Sequence, residues 1–224
     1  VVLSAMSGTT NSLVEITNYY YKKNYHGACE IISQLESKYC SHVEELYSSD
    51  EYKNQIRAFL TEEFDLLRSF NPSTFSLTDE KVILAQGEII STNMFVAYLH
   101  EQGISSALLP ALDFMRIDSN GEPEMLYIKK HLRNLMEDCA GCQIYITQGF
   151  ICRNANDEID NLHRGGSDYT ASIIGAALKS EEIQIWTDID GMHNNDPRVV
   201  ENTQAVHQLN FEEAAELAYF GAKI

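Results

Sequence analysis

Three stretches of this 224-residue chain combine residue types and spacings that could do chemistry. His163-Arg164-Gly165-Gly166-Ser167-Asp168-Tyr169-Thr170 is a cationic, glycine-rich turn that runs directly into a helical pattern. Exposed backbone N–H groups and the positive end of a helix dipole make such a turn an anion site, and Arg164 adds a bidentate partner for a carboxylate or phosphate. The same residues also read as a packing glycine pair followed by Ser167 or Asp168 as a helix cap, which leaves Arg164 unexplained.

The second stretch, Trp186-Thr187-Asp188-Ile189-Asp190-Gly191 through His193 to Asp196-Pro197-Arg198, reads as a strand end followed by a polar turn. A carboxylate at a strand terminus can fix a nucleotide or hold Mg²⁺ through water, and Arg198 can meet a phosphate. Asp-Gly and Asp-Pro turn chemistry accounts for the same composition. In the third, Gln86-Gly87-Glu88, a glycine sits inside a helical pattern at a cost of ~1 kcal/mol against alanine, so the close approach of another group is a reason for it. Glu88 could pair with an ammonium, or be a surface carboxylate on a partly wet face. Neither a G-x-x-x-x-G-K-S/T nor a G-x-G-x-x-G signature is present, which removes the P-loop and the dinucleotide fingerprint.

Cys139-Ala140-Gly141-Cys142 is formally a C-x-x-C. It could be a redox pair or half a zinc site, with His131 and Cys152 as further ligands, or a helix end turning through Gly141 into a strand. Five cysteines, at 29, 40, 139, 142 and 152, are an odd count without the density of a secreted disulfide scaffold, so reduced thiols are expected. The seven histidines lack metal-ligand spacing, and no protein metal site is expected.

The elements that must position these residues follow from hydrophobic periodicity. Helical patterns dominate to about residue 102. Ile56, Phe59, Leu60, Phe64 and Leu67 share one face; Val82, Ala85, Ile89, Val96 and Leu99 define a deeply buried helix that ends near Gly103. Tyr19, Tyr20, Tyr21 and Tyr25 fit core and rim positions better than a stacking platform. From Gln143 the pattern becomes a strand, then a polar hairpin from Arg153 to Leu162, a helix after Gly165-Gly166, and a further strand over Glu182 to Thr187. A strand-helix-strand unit implies a mainly parallel sheet covered by helices, with ligands beyond the carboxyl ends of the strands. Three ends qualify: Ser4 to Asn11, Gln148 to Phe150, and Thr187 to Arg198.

A net charge of -17 disfavours a nucleic-acid partner, since the 16 Lys and Arg are scattered. No apolar run approaches the ~20 residues that cross a bilayer, so no membrane partner is expected and a cytoplasmic enzyme is. The chain starts without Met on what reads as a strand already under way, and Phe220 to Ile224 leaves a helix for an apolar segment; residues are expected on both sides.

Taken in order, Leu3 to Asn11, Gly87-Glu88, Gln148-Gly149-Phe150, Arg164 to Ala171, Trp186-Thr187-Asp188, Asp196-Pro197-Arg198 and Phe220-Gly221-Ala222-Lys223 resemble the aspartokinases of the amino-acid kinase superfamily. The resemblance implies an α/β, three-layer αβα sandwich, with an amino-acid-binding lobe over about 1–142 and a nucleotide-binding lobe over about 143–224. It implies phosphorylation of the L-aspartate β-carboxylate by ATP with Mg²⁺, the first step towards lysine, threonine and methionine, in a homo-oligomeric parent. Glutamate and uridylate kinases share the Thr-Asp and Asp-Pro-Arg blocks, and a non-catalytic module keeping the fold is a further alternative. By position, Ser4, Thr10, Glu88, Phe150, Arg164, Ser167 and Asp168 would line the aspartate site. Arg164 would grip a carboxylate, and Glu88 or Asp168 the ammonium. Thr187, Asp188, His193, Arg198 and Lys223 would contact ATP, with Asp168 and Lys223 the catalytic candidates; His193 stands where relatives often have Tyr. The Lys-Phe-Gly-Gly strand that opens such kinases is expected before Val1 and ACT regulatory domains after Lys223, so the fragment alone is expected to be weakly active or inactive.

Overall fold

The computed structural model describes residues 1–162, 165–187, 191–196, 199–220 and 222. They form two compact units, Val1–Ile183 and Gln184–Ile224. The first opens with β1 (Val2–Leu3) and four helices, α1 (Thr9–Tyr21), α2 (Tyr25–Leu46), α3 (Asp50–Ser69) and α4 (Leu77–Glu101). It continues through β2 (Ser106–Leu108), α5 (Ala111–Phe114), α6 (Met125–Asp138), β3 (Ile144–Gln148), the β4 (Ile151–Arg153) and β5 (Ile159–Asn161) hairpin, and α7 (Gly166–Leu178). The second unit contains α8 (Phe211–Tyr219), which starts at a capping box between Asn210 and Glu213.

The helices start where short polar side chains can satisfy orphan N–H groups. Asn24 caps α2, Ser49 caps α3, and Ser76 with Asp79 forms a capping box on α4. Their apolar stripes close over Leu13, Ile16, Ile32, Tyr39, Leu60 and Phe64, all within 1% of full burial. Tyr20 is the hinge of an aromatic group: its ring stacks on Phe75 at 5.0 Å and its hydroxyl donates to the Leu67 carbonyl at 2.6 Å.

The sheet is parallel, in the order β1-β3-β2, with Val2 opposite Thr147 and Ser106 opposite Ile144. Alternation along β3 sends Ile144 and Ile146 against Val96 and Leu99 of α4, while Tyr145 packs with Leu132, Leu135 and Ile174 of α6 and α7. Two helical layers therefore cover opposite faces of one sheet, the three-layer arrangement expected from the sequence.

α4 differs from the other helices because apolar residues surround it. Ile83, Ile90 and Met94 join the helical core, Ala85 the second core, and Val96 and Leu99 the sheet. Over its 25 residues it is long and apolar enough to cross a bilayer, which corrects the reading that nothing in the chain is. Its surroundings account for this: most of the apolar surface is buried inside the protein rather than facing solvent.

One predicted element is absent. Residues 182–187 form no strand, and Ile183 and Ile185 remain 46% and 38% exposed. Alternation over two isoleucines supplies an apolar face but no ladder, and among the described residues no strand pairs with this segment. Ile183 instead lies over Gly175 of α7, where an added Cβ would collide with it.

Deleting a ring from the helical core should be costly and a surface leucine cheap. Phe64→Ala should lower unfolding free energy by about 3–5 kcal/mol, whereas Leu126→Ala, 87% exposed, should stay within about 0.5 kcal/mol. Urea unfolding followed by circular dichroism measures both.

Candidate active site

Ser4, Thr10, Glu88, Phe150, Ser167 and Asp168 line one cleft of about 290 Å³, together with Ala5, Gly165 and Gly166. Two of the three strand ends singled out by the sequence thus meet; the third, Thr187 to Arg198, belongs to the second unit.

The Ser4-Ala5 segment lies directly on α4. Gly87 makes the approach possible, since a Cβ there would be 2.8 Å from the Ala5 Cβ and 3.3 Å from Leu13. Two hydrogen bonds hold the contact: Ala5 N–H donates to Glu88 Oε1 at 3.2 Å, and Ser91 Oγ donates to the Ser4 carbonyl at 2.8 Å. The open question about Glu88 is therefore settled: it is 4% exposed, not a surface carboxylate. Burial pushes its carboxyl up to about 7, with the Ala5 N–H only partly opposing the shift.

Across the cleft, the backbones of the β3–β4 junction and of α7 touch. A Cβ on Gly149 would be 2.7 Å from the Ser167 Cα, and one on Gly166 would be 3.0 Å from the Phe150 Cα. Phe150 has φ 66°, an outlying conformation for a bulky residue. It is held there by its N–H donating to Thr170 Oγ1 at 3.1 Å and its carbonyl accepting from Leu162 N–H at 2.7 Å.

Two helices point their N-termini into this space. Gly8, at φ 80°, precedes α1, and Gly165, at φ 77°, precedes α7; neither helix receives a side-chain cap. This corrects one sequence alternative, in which Ser167 or Asp168 caps α7. Both side chains instead sit in the first turn beside the cleft, which leaves early N–H groups for a ligand. Lys38 Nζ donates to the Ser7 carbonyl at 2.7 Å and steadies the turn before α1. Behind α1, Thr9 Oγ1 and the Tyr39 hydroxyl share a hydrogen bond of 2.9 Å.

The cleft thus has a buried carboxyl at its floor and the N-termini of two helices at its rims. Sequence reasoning missed the Ala5 N–H, a backbone donor that no side-chain pattern reports. Arg164, Asp188, Arg198 and Lys223 lie outside the described residues. In the second unit, His193 bridges to Ala205 and its Nδ1 lies 2.9 Å from Thr203 Oγ1, while Thr187 is exposed.

A model of the amino acid kinase family matches residues 1–224. The lysine-sensitive aspartokinase 3 of Escherichia coli strain K12 is 31% identical over 228 residues, spanning 100% of this chain and 50% of the relative. Aspartokinase 1, chloroplastic, of Arabidopsis thaliana is 34% identical over 236 residues, spanning 100% of this chain and 40% of the relative. The crystal structure of E. coli aspartokinase III in complex with aspartate and ADP matches with a TM-score of 0.85 at 29% identity, over 99% of this chain and 49% of that one. The chain spans about half the length, or less, of the curated relatives it matches.

Glu88 makes stability depend on pH in a definite direction. Its carboxyl ionises near 4.5 when unfolded and near 7 when folded, so the native state binds the extra proton between those values. Its favourable contribution is complete below pH 4.5 and is lost as pH rises through 7, a difference of about 3 kcal/mol. Glu88→Gln should remove that slope and be the more stable protein at pH 8; unfolding titrations from pH 4.5 to 8 read both effects.

Proposed function

The chain belongs to the amino acid kinase family, and from that membership we propose that the intact protein transfers the γ-phosphoryl group of ATP to the β-carboxylate of L-aspartate. The observation that carries this reading is the pairing, in one cleft, of a buried carboxylate with two uncapped helix N-termini. The aspartokinase names of the relatives, and the aspartate named in the matching structure's title, support the choice of acceptor.

In this reading the substrate ammonium meets Glu88 and holds it ionised. Thr10 on α1, and Ser167 with the first N–H groups of α7, receive the two substrate carboxylates, and Arg164 adds a bidentate contact. Phe150 closes the wall of the cleft, and Asp168 orients the ammonium and the reacting carboxylate. An aspartate carboxylate is already ionised at neutral pH, so no general base is required. The work left to the protein is to bring two anions together and neutralise the charge that develops between them.

ATP supplies the phosphoryl group and Mg²⁺ shields its charge. Thr187, Asp188, His193, Arg198 and Lys223 are proposed to hold the nucleotide, with Lys223 beside the transferring group. The division into an amino-acid lobe over about 1–142 and a nucleotide lobe over about 143–224 is kept, with one amendment. Phe150, Ser167 and Asp168, from beyond residue 142, complete the amino-acid cleft. A cytoplasmic, homo-oligomeric protein without membrane or nucleic-acid partners completes the proposal.

Acceptor specificity is the test. With ATP and Mg²⁺ the intact protein should release ADP when given L-aspartate; phosphorylation of glutamate or uridylate in its place would overturn the assignment. Glu88→Gln should lower kcat/KM by roughly 10–100-fold, the value of a hydrogen bond to a charged group. Asp168→Asn should collapse kcat, and near-normal turnover in that variant would remove Asp168 from the machinery.

A further inference from the structure

The C-x-x-C between α6 and β3 takes no part in the cleft, and its two cysteines are the first and last residues of one hydrogen-bonded turn. Cys139 is the C-cap of α6, and the Cys142 N–H donates to the Cys139 carbonyl at 3.3 Å. Gly141, at φ 102°, supplies the positive φ that lets the backbone turn there. A four-residue turn keeps its outer Cα atoms within about 7 Å, and a disulfide needs about 4.4–6.8 Å. The hydroxyl of Tyr145 donates to the Cys139 carbonyl at 3.3 Å, tying the turn to β3. Both cysteines are half-exposed free thiols. We propose that Cys139 and Cys142 form a reversible thiol–disulfide site that reacts with small-molecule disulfides of the glutathione class.

The other three cysteines are placed differently. Cys29 and Cys40 both lie on α2, separated by about 16 Å of helix rise, beyond the reach of a disulfide. Cys152 is fully buried in the second core, and burial pushes its thiol up to about 12. It is inert at neutral pH.

The reaction balances in two exchanges. One cysteine thiolate attacks a sulfur of the small-molecule disulfide, forming a mixed disulfide and expelling one small thiolate. The second cysteine thiolate then attacks the protein sulfur of that bond and expels the other small thiolate. Two protein thiols are oxidised, one disulfide is reduced to two thiols, and two protons leave with the products. The crosslink closes the turn that leads from α6, which packs on α7, into β3, whose last residue Gln148 stands two positions before the cleft residue Phe150.

The experiment is oxidation of the intact protein with excess oxidised glutathione, followed by iodoacetamide alkylation and tandem mass spectrometry of the peptide spanning residues 139–142. The expected peptide is two hydrogens lighter, carries neither glutathione nor alkyl group, and regains two alkylation sites after dithiothreitol. Cys142→Ser should trap glutathione on Cys139 as a lasting adduct, with its circular dichroism spectrum unchanged. A stable glutathione adduct in the unmutated protein, a disulfide from either residue to Cys152, or two thiols that stay alkylatable would each overturn the proposal.

Discussion

The contact between Ser4-Ala5 and α4 is the constraint on which the rest of the site depends. Three positions of α4 serve it in different ways: Gly87 gives room, Glu88 accepts from Ala5 N–H, and Ser91, about one turn later, donates to the Ser4 carbonyl. The strand end is thereby fixed to the helix by backbone groups that cannot rotate away. The carboxyl that results is buried, with the Ala5 N–H as its donor from the strand end, a costly placement for a charge that a cationic ligand group would offset.

That contact is supported from the sheet side by a chain of buried hydrogen bonds. Gln148, at the end of β3, donates through Nε2 to Thr92 Oγ1 at 2.8 Å, and its Oε1 accepts from Ala111 N–H at 2.8 Å. Thr92 Oγ1 in turn lies 2.8 Å from the Glu88 carbonyl. Strand, central helix and the start of α5 are locked in register at the depth where the cleft opens. On the far wall, the backbone contact between Gly149 and Ser167 does the same for α7. Polar groups that would be a liability in an apolar core are paired, and the pairing sets the geometry of the site.

The fold was legible where periodicity ran long. The stripe through α4, the alternation in β3 and the glycine pair before α7 each specify an element by repetition or by backbone freedom. Legibility failed where the deciding quantity was tertiary. The two isoleucines of residues 182–187 alternate like a strand, but whether a ladder partner exists is not a local property. Ser167 and Asp168 have capping side chains, yet Gly165 takes the cap position because its left-handed backbone turns the chain into α7. Glu88 could not be assigned to core or surface because α4 is apolar on every side, so its face had no contrast to read. The cleft residues were recovered through resemblance of ordered blocks, while the Ala5 N–H carries no side-chain signature.

The proposed recognition of L-aspartate depends on complementarity between the buried Glu88 carboxyl and a ligand ammonium, with the two helix N-termini placed to receive its carboxylates. Calorimetric titration of the intact protein with L-aspartate and with succinate, which keeps both carboxylates and lacks the amine, isolates that claim. Binding of L-aspartate at least roughly tenfold tighter than succinate, a margin of about 1.4 kcal/mol, is the predicted result. Equal affinities would contradict it, because Glu88 would then contribute nothing to recognition.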